Sequence, residues 1–591
     1  MKKLILIIGV LCLTCGAAHA VNYTWQGSTY PTTWDTAANW NPNKSGPGTT
    51  GDSYSITTPT STDNFIDLPD PTGTRYFGDV TMTNGRLRLT GTVADTFRFV
   101  AGNDAHSGSF TMKGATATSV QLGRTGYGRG VIWDMDGSFI YDGVMLSSET
   151  AGNPWQTSKA VMRGSGTTFT ASSSASNYQQ MISVTVESGA SVDFVEPEFN
   201  GYNCGRELIF KGDASGSITT GLNAVGLPAN NHMVKVIGTP DLSELKLTIA
   251  QANSADNNVY RISGAHYKEV DYVGASWLGH ANQPTGRTYT VKVVDDNLRA
   301  THVKFGGKKS GGANAMAWFV FDTDNAGVVR NVTADLDMVV GDYFSGVLKA
   351  NSADIKIGRD LLINNGYGSG WASYITATTG TFKVGRHITV ANGADSLTSG
   401  WDMGTSKLIL NGNDNGTDQT LATKMLPFYD AEVNTTGTVT LADNLLLKGD
   451  LTLTAGTFDP AGNYVVLQGG QDTEGTAQEI DAGGADLEKL HVKAGSDTYA
   501  KLLSDLTISD NLDIDLNCKL FLNGKTLDLT GSDAADYIVG GPILSGEGTW
   551  TVSEGGQIIG DAAEIPEPGT LLLLGTGLLG AFGYLRRRRL S

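Results

Sequence analysis

Carboxylates spaced two residues apart are the groups in this chain whose type and spacing could do chemistry. Asp134/Asp136, Glu196/Glu198, Asp322/Asp324 and Asp513/Asp515 each set two acids at i and i+2, and in a strand that spacing puts both on one face. Two carboxylates held together can divide acid and base roles in glycosidic-bond cleavage or share a Ca²⁺ ion. The same pairs equally suit the solvated outer face of a sheet. Other catalytic patterns are missing: there is no His-Glu-x-x-His helix, Gly-x-Ser-x-Gly elbow or Cys-x-x-Cys pair. Gly524-Lys525-Thr526 ends like a phosphate-binding loop, but Lys519 stands where the first glycine is needed, so Asn523-Gly524 reads as a turn between strands. Asn411-x-Asn413-x-Asn415-Gly416 starts like a calcium loop, yet its twelfth position is Ala422, where a bidentate Glu is required. It reads as another Asn-Gly turn. No catalytic residue, metal ligand or cofactor is assigned.

The elements that would position such residues are strands. Short runs alternate apolar and polar residues and end at Gly, Asn or Asp, as at Leu451/Leu453, Leu506/Ile508, Leu512/Ile514/Leu516, Leu520/Leu522 and Leu527/Leu529. The runs also repeat. Ile355-Lys356-Ile357-Gly358-Arg359-Asp360-Leu361-Leu362-Ile363 returns 27 positions later as Phe382-Lys383-Val384-Gly385-Arg386-His387-Ile388-Thr389-Val390. Gly370-Trp371 returns as Gly400-Trp401, Gly108-Ser109-Phe110 as Gly137-Ser138-Phe139, and Lys448 to Leu453 is a further copy. A period of 27 to 30 is too short for a propeller blade and lacks the helical segments of a leucine-rich horseshoe. It fits three short strands per coil of a right-handed parallel β-solenoid, or β-helix. The expected fold is therefore all-β. Residues 71–330 form a β-rich solenoid section, degenerate near 195–330, where a β-sandwich-like section could interrupt it, and residues 331–560 form the clearer solenoid repeats.

Residues 21–70 have their own signature in Trp25, Trp34 and Trp40. These rings suit a β cap over the first coil, whose open edge would otherwise template pairing; an aromatic platform for a sugar is the alternative. The composition, with 76 Gly, 40% apolar and 17% charged residues, is that of a folded chain. The net charge of −18 argues against nucleic acid as a partner. Its four cysteines, two of them in the first fifteen residues, cannot make a disulfide framework.

Both ends carry targeting features. Lys2 and Lys3, the apolar run Leu4 to Leu13 and Ala18-His19-Ala20 have the layout of a signal peptide over residues 1–20, with Ala18 and Ala20 as the signal peptidase site. Neither Cys12 nor Cys15 follows the Leu-small-small triplet of lipoprotein signals. At the other end, residues 561–591 contain Ile565-Pro566-Glu567-Pro568, then the uncharged run Gly569 to Leu585, then Arg586-Arg587-Arg588-Arg589. Seventeen residues rise about 25 Å as a transmembrane helix, just enough for a bilayer core. The four arginines hold its end in the cytoplasm.

This tripartite tail resembles the PEP-CTERM sorting signal of Gram-negative bacteria. The resemblance implies that Pro566, Glu567 and Pro568 are recognised by an exosortase, and that Arg586, Arg587, Arg588 and Arg589 stop transfer. It also implies that the chain is held only transiently in the inner membrane before delivery to the cell surface or extracellular matrix. Thr24-Trp25-Gln26-Gly27 and Ala37-Ala38-Asn39-Trp40 resemble the opening of autotransporter-like β-solenoid proteins. The leading expectation is a non-enzymatic surface or matrix protein. Its expected partners are the Sec and signal peptidase machinery, an exosortase, the inner membrane and extracellular polysaccharide. A carbohydrate-active β-helix enzyme, lyase or hydrolase, is the alternative. An ice or flat-surface binder is a third reading, and it would need a Thr-x-Thr ladder that Thr57/Thr58 and Thr452/Thr454 do not make.

Overall fold

Alternating side chains punctuated by Gly, Asn and Asp fold here into strands and almost nothing else. The structure, a computed structural model, describes residues 182–195, 208–218, 232–251, 259–274, 287–308, 317–342, 344–364, 372–391, 400–412, 418–469, 476–493 and 498–531, with shorter segments elsewhere between 22 and 559. The described residues are all-β apart from one 3-10 turn, Ala37–Asn39, and most strand pairs are parallel. The leader with Ala18 and Ala20, and residues 561–591 with Pro566, Glu567, Pro568 and Arg586 to Arg589, lie outside the described residues. Among those described, no helix is long and apolar enough to cross a membrane.

The chain divides into two compact units, residues 1–353 with 363–374 and residues 354–362 with 375–591. In the first, a strand pairs in parallel with one lying 21 to 35 residues further on, as Phe65 with Arg86 and Val303 with Met338. Register stacks like on like. Tyr54, Val80, Phe110, Phe139, Phe169, Phe194 and Ile218 occupy one column across seven strands. Leu247, Val270, Val303 and Met338 make another, all with no exposed surface. Each of these last four side chains contributes about 1.5–3 kcal/mol of burial.

The β-sandwich-like interruption near 195–330 is not what the described residues there show. Leu208–Gly212, His232–Gly238, Val259–Ser263, Arg287–Val294 and Ala317–Asp322 continue one parallel ladder. Leu242–Gln251, His266–Gly274 and Leu298–Lys308 form a second. The repeat is hidden in sequence because register partners there lie anywhere from 23 residues apart (Lys246 and Glu269) to 34 (Val273 and Gly307).

The first strand, Asn22–Trp25, pairs antiparallel with Trp40–Asn41 and parallel with Ser53–Thr57. Gln26 ties the antiparallel pair, its Nε2 donating to the Trp40 carbonyl at 2.9 Å. Trp40 is fully buried, with its ring edge-on to Trp25 at 4.8 Å and to Tyr54 at 5.1 Å. Rings buried against one another cannot serve as a sugar platform; Trp34 lies outside the described residues.

In the second unit, Ile355–Ile357 lies in parallel register with Thr381–Val384, as the repeated Lys-x-Gly-Arg segments require. The column runs on through Leu408, Ala431, Leu451 and Ile480, all buried. The repeated motif is a bracket. Asp360 receives the Arg386 guanidinium, with Nε at 2.8 Å, and accepts from the His387 backbone N–H at 3.2 Å. Asp354 accepts from the Thr381 N–H at 3.0 Å, Asp430 from that of Asp450 at 2.7 Å, and Asp450 from that of Glu479 at 2.7 Å. Buried glutamines do the same from inside. Gln419 accepts from the Gly412 N–H at 2.9 Å and donates to the Val384 carbonyl at 2.9 Å. Gln478 accepts from Gly469 at 2.6 Å and donates to the Gly449 carbonyl at 2.6 Å.

Gly524-Lys525-Thr526 is the turn expected of it: Asn523 and Gly524 have φ of 51° and 74°, the left-handed region that Asn and Gly tolerate. Leu516 departs from its expected row. It is 71% exposed because the strand stops at Ile514 and Asn517 turns left-handed at φ 70°. Cys518 is buried beside that turn; Cys204 lies outside the described residues.

Replacing Gln419 by Leu leaves a buried amide N–H and carbonyl without partners, at about 1–3 kcal/mol. Urea titration should show the second unit's midpoint lowered accordingly, whereas Leu516→Gln should leave it within about 0.5 kcal/mol.

Candidate functional site

The acid pairs expected from spacing resolve differently. Asp322 accepts from the Asp324 N–H at 3.0 Å and from Asn351 Nδ2 at 2.9 Å, and Lys292 Nζ lies 3.4 Å from its carboxylate. Asp324 accepts from the Gly327 N–H at 2.8 Å. That pair holds a small antiparallel turn, Asp324–Asn325 against Val328–Val329. Asp515 lies 2.9 Å from His491 Nε2. Asp513 and Asn511 face the Tyr464 hydroxyl, whose pKa is raised chiefly by burial. For Asp134 and Glu198 only strand placement is described; Asp136, Glu196, Asn413 and Asn415 lie outside the described residues. Among the described residues no group of three or more His, Cys, Asp or Glu is arranged to hold a metal ion.

Another pair with the same spacing, Glu269/Asp271, is not among the candidates that the sequence pointed to. It sits on the outward face of His266–Gly274, between Leu242–Gln251 and Leu298–Lys308, whose inward residues Leu247, Val270, Val303, Ile249, Tyr272 and Phe305 are fully buried. Parallel register places Lys246, Glu269 and His302 in one row and Thr248, Asp271 and Lys304 in the next. Glu269 is gripped by Lys246 Nζ at 3.1 Å and Lys304 Nζ at 3.1 Å. Around it Lys268 pairs with Glu244 at 2.9 Å, Arg299 with Asp335 at 3.0 Å, and His302 lies 3.3 Å from Asp337.

Asp271 is the exception on this face. Among the described residues no hydrogen bond or ion pair reaches its carboxyl group. Burial, and next the neighbouring Glu269 charge, push its pKa up to about 6. Burial also pushes Glu269 upward, but the hydrogen bonds from the two lysines outweigh it and hold that carboxyl below its usual range. Two carboxyls two residues apart are thus driven in opposite directions, the arrangement that lets one act as acid while the other stays ionised.

Register also makes a column that no linear reading shows. Ser55, Thr81, Thr111, Ile140 and Thr170 stack on successive strands, with Thr57, Thr83, Lys113, Asp142 and Ser172 two positions along. Ile140, Lys113 and Asp142 break it, so it is not a regular Thr-x-Thr ladder.

The most specific assignment comes from the tail. Residues 564–589 match the PEP-CTERM protein-sorting motif. The chain is therefore an exported, cell-surface-directed protein that carries an exosortase sorting signal. Its processing partner is an exosortase. No curated protein and no solved structure matches the chain.

The Asp271 shift gives a stability test. A carboxyl whose folded pKa lies above its unfolded value favours the fold most below about pH 4, and that contribution is lost as pH rises through about 6. Asp271→Asn should therefore stabilise the protein at pH 8 by about 1–3 kcal/mol, and the gain should vanish by pH 4. Urea midpoints of both proteins at the two pH values check this.

Proposed function

We propose that this chain is a non-enzymatic surface or matrix protein, exported through the Sec pathway on residues 1–20 and held briefly in the inner membrane by Gly569 to Leu585. An exosortase then processes it at Pro566, Glu567 and Pro568. Its body is a right-handed parallel β-solenoid that contacts extracellular polysaccharide. The sorting motif at 564–589 is the observation that carries the reading. Parallel partners 19 to 35 residues apart in both units support the solenoid. The many outward carboxylates already engaged by lysine, arginine or backbone N–H groups support a scaffold. Two prolines keep the recognition segment extended and free of helix, as an enzyme groove needs.

In a host with an exosortase, Pro566→Ala combined with Glu567→Ala should leave insertion intact and trap full-length protein in the inner membrane. Neutralising Arg586 to Arg589 should weaken stop-transfer. Fractionation with an epitope in the body measures both. Unchanged release of the Pro566/Glu567 variant would reduce the tail to a simple anchor.

The second reading, a polysaccharide-cleaving enzyme, is favoured by one observation, the opposed Glu269 and Asp271 carboxyls. In that reading protonated Asp271 is the general acid and Glu269 the ionised partner. Turnover on a polysaccharide panel would then fall as pH rises above about 6 and disappear in Asp271→Asn. Absence of turnover leaves the scaffold reading standing.

A further inference from the structure

The repeated Lys-x-Gly-Arg segments concentrate positive charge in an acidic chain. Residues 355–363 and 382–390 hold four cations, Lys356, Arg359, Lys383 and Arg386, against one carboxylate, Asp360, where the whole chain has a net charge of −18. Ile355, Ile357, Phe382 and Val384 are buried, so Lys356 and Lys383 take the outward face of their strands. Parallel register sets the two lysines directly opposite each other, on strands about 4.8 Å apart. Like charges placed in that way repel and weaken the pairing of their strands.

Several other outward lysines of this unit meet an acid. Lys407 lies 2.6 Å from Glu432, Lys501 2.9 Å from Glu479 and Lys489 3.2 Å from Asp510. Among the described residues no hydrogen bond or ion pair reaches the ammonium group of Lys356 or of Lys383. The acids close to them in the ladder are engaged. Asp360 lies against both Arg359 and Arg386, and Asp354 accepts from the Thr381 N–H at 3.0 Å and from the Thr381 hydroxyl at 2.8 Å. Ile409 follows Lys383 in the outward row, and Glu432, next again, is held by Lys407. Two stacked lysines, each followed three residues on by an arginine, therefore face outward with their repulsion unrelieved by an acid.

We propose that Lys356 and Lys383 are a docking point for an acidic polysaccharide, a polymer bearing carboxylates on its sugars, laid across the two strands so that neighbouring carboxylates reach neighbouring lysines. An extended polyanion offers at successive sugars the negative charge that the sheet itself does not. Binding relieves the repulsion between the lysines, and the positive charge of Arg359 and Arg386 adds attraction as the polymer approaches. Naming the polymer a polysaccharide rests on the reading that the body contacts extracellular polysaccharide; the unanswered charge does not.

Affinity electrophoresis of the full chain through gels holding polygalacturonate, neutral dextran or double-stranded DNA tests the assignment. Polygalacturonate should retard the parent, dextran should not, and salt at about 0.5 M should abolish the retardation. Lys356→Gln with Lys383→Gln should weaken binding about fivefold to tenfold. Lys448→Gln with Lys525→Gln makes the same change of net charge elsewhere in the unit and should leave binding as it was. Lys356→Glu sets an acid opposite Lys383, so it should weaken binding at least as much while raising the urea midpoint. Opposite movement of affinity and stability is the signature of a ligand site, since lysines that merely held the fold would lose both together. A lowered urea midpoint in the double Gln variant, equal weakening in the control, or DNA bound as tightly as polygalacturonate would each overturn the docking point. Unaltered binding of polygalacturonate by the double Gln variant overturns it too, and leaves the polysaccharide reading standing. A parent retarded by no polysaccharide removes that reading along with the docking point.

Discussion

Most of the described strands must find their backbone partners in parallel strands 19 to 35 residues away, and the rest of the structure depends on that constraint. A buried amide or carbonyl without a partner costs about as much as a lost hydrogen bond, and among the described residues few helical turns or antiparallel pairs supply local bonds. Register is consequently strict. A slip of one residue would move columns such as Leu247, Val270, Val303 and Met338 from the core to the solvent face. The polar residues serve the same end. Asp354, Asp360, Asp430 and Asp450 accept backbone N–H groups of a following strand, and Gln419 and Gln478 close the groups a turn leaves inside. Acidity in this chain is in part a device for tying the start of one strand to the start of the next in its ladder.

That use of carboxylates explains why acid spacing alone was a poor guide to a site. Asp322/Asp324 has the spacing of a catalytic pair and holds a turn. Glu269/Asp271 has the same spacing and differs only in what its neighbours do. Two lysines reach Glu269, whereas no hydrogen bond or ion pair among the described residues reaches Asp271. The distinction depends on which of Lys246 and Lys304 faces which acid across strands, and that is set by register rather than by proximity in sequence.

The legible parts of the fold were those written locally. Asn523-Gly524 needed left-handed backbone and has it. The Lys-x-Gly-Arg copies at 355 and 382 share a length of connection, so their pairing could be read as a displacement. Around 195–330 the strands are equally parallel, but connections of changing length erase any fixed period. The threonines at 81, 83, 111 and 170 were invisible as a column for the same reason. Leu516 misled in the opposite direction. Its place in an alternating run promised burial, and the run outlasted the strand. The tail alone could be read without any fold, because its three parts are contiguous.

The antiparallel pair of Asn22–Trp25 with Trp40–Asn41 also bears on how the molecule acquires its structure. Its partners are close along the chain, so closing that loop costs less conformational entropy than closing any of the parallel ladders. A polypeptide threaded outward N-terminus first presents this segment before the rest has emerged. Once formed, it offers Ser53–Thr57 a finished edge to add to, and each later strand inherits one in turn. Assembly can then proceed by sequential growth from one seed, in step with translocation, without first gathering residues hundreds of positions apart.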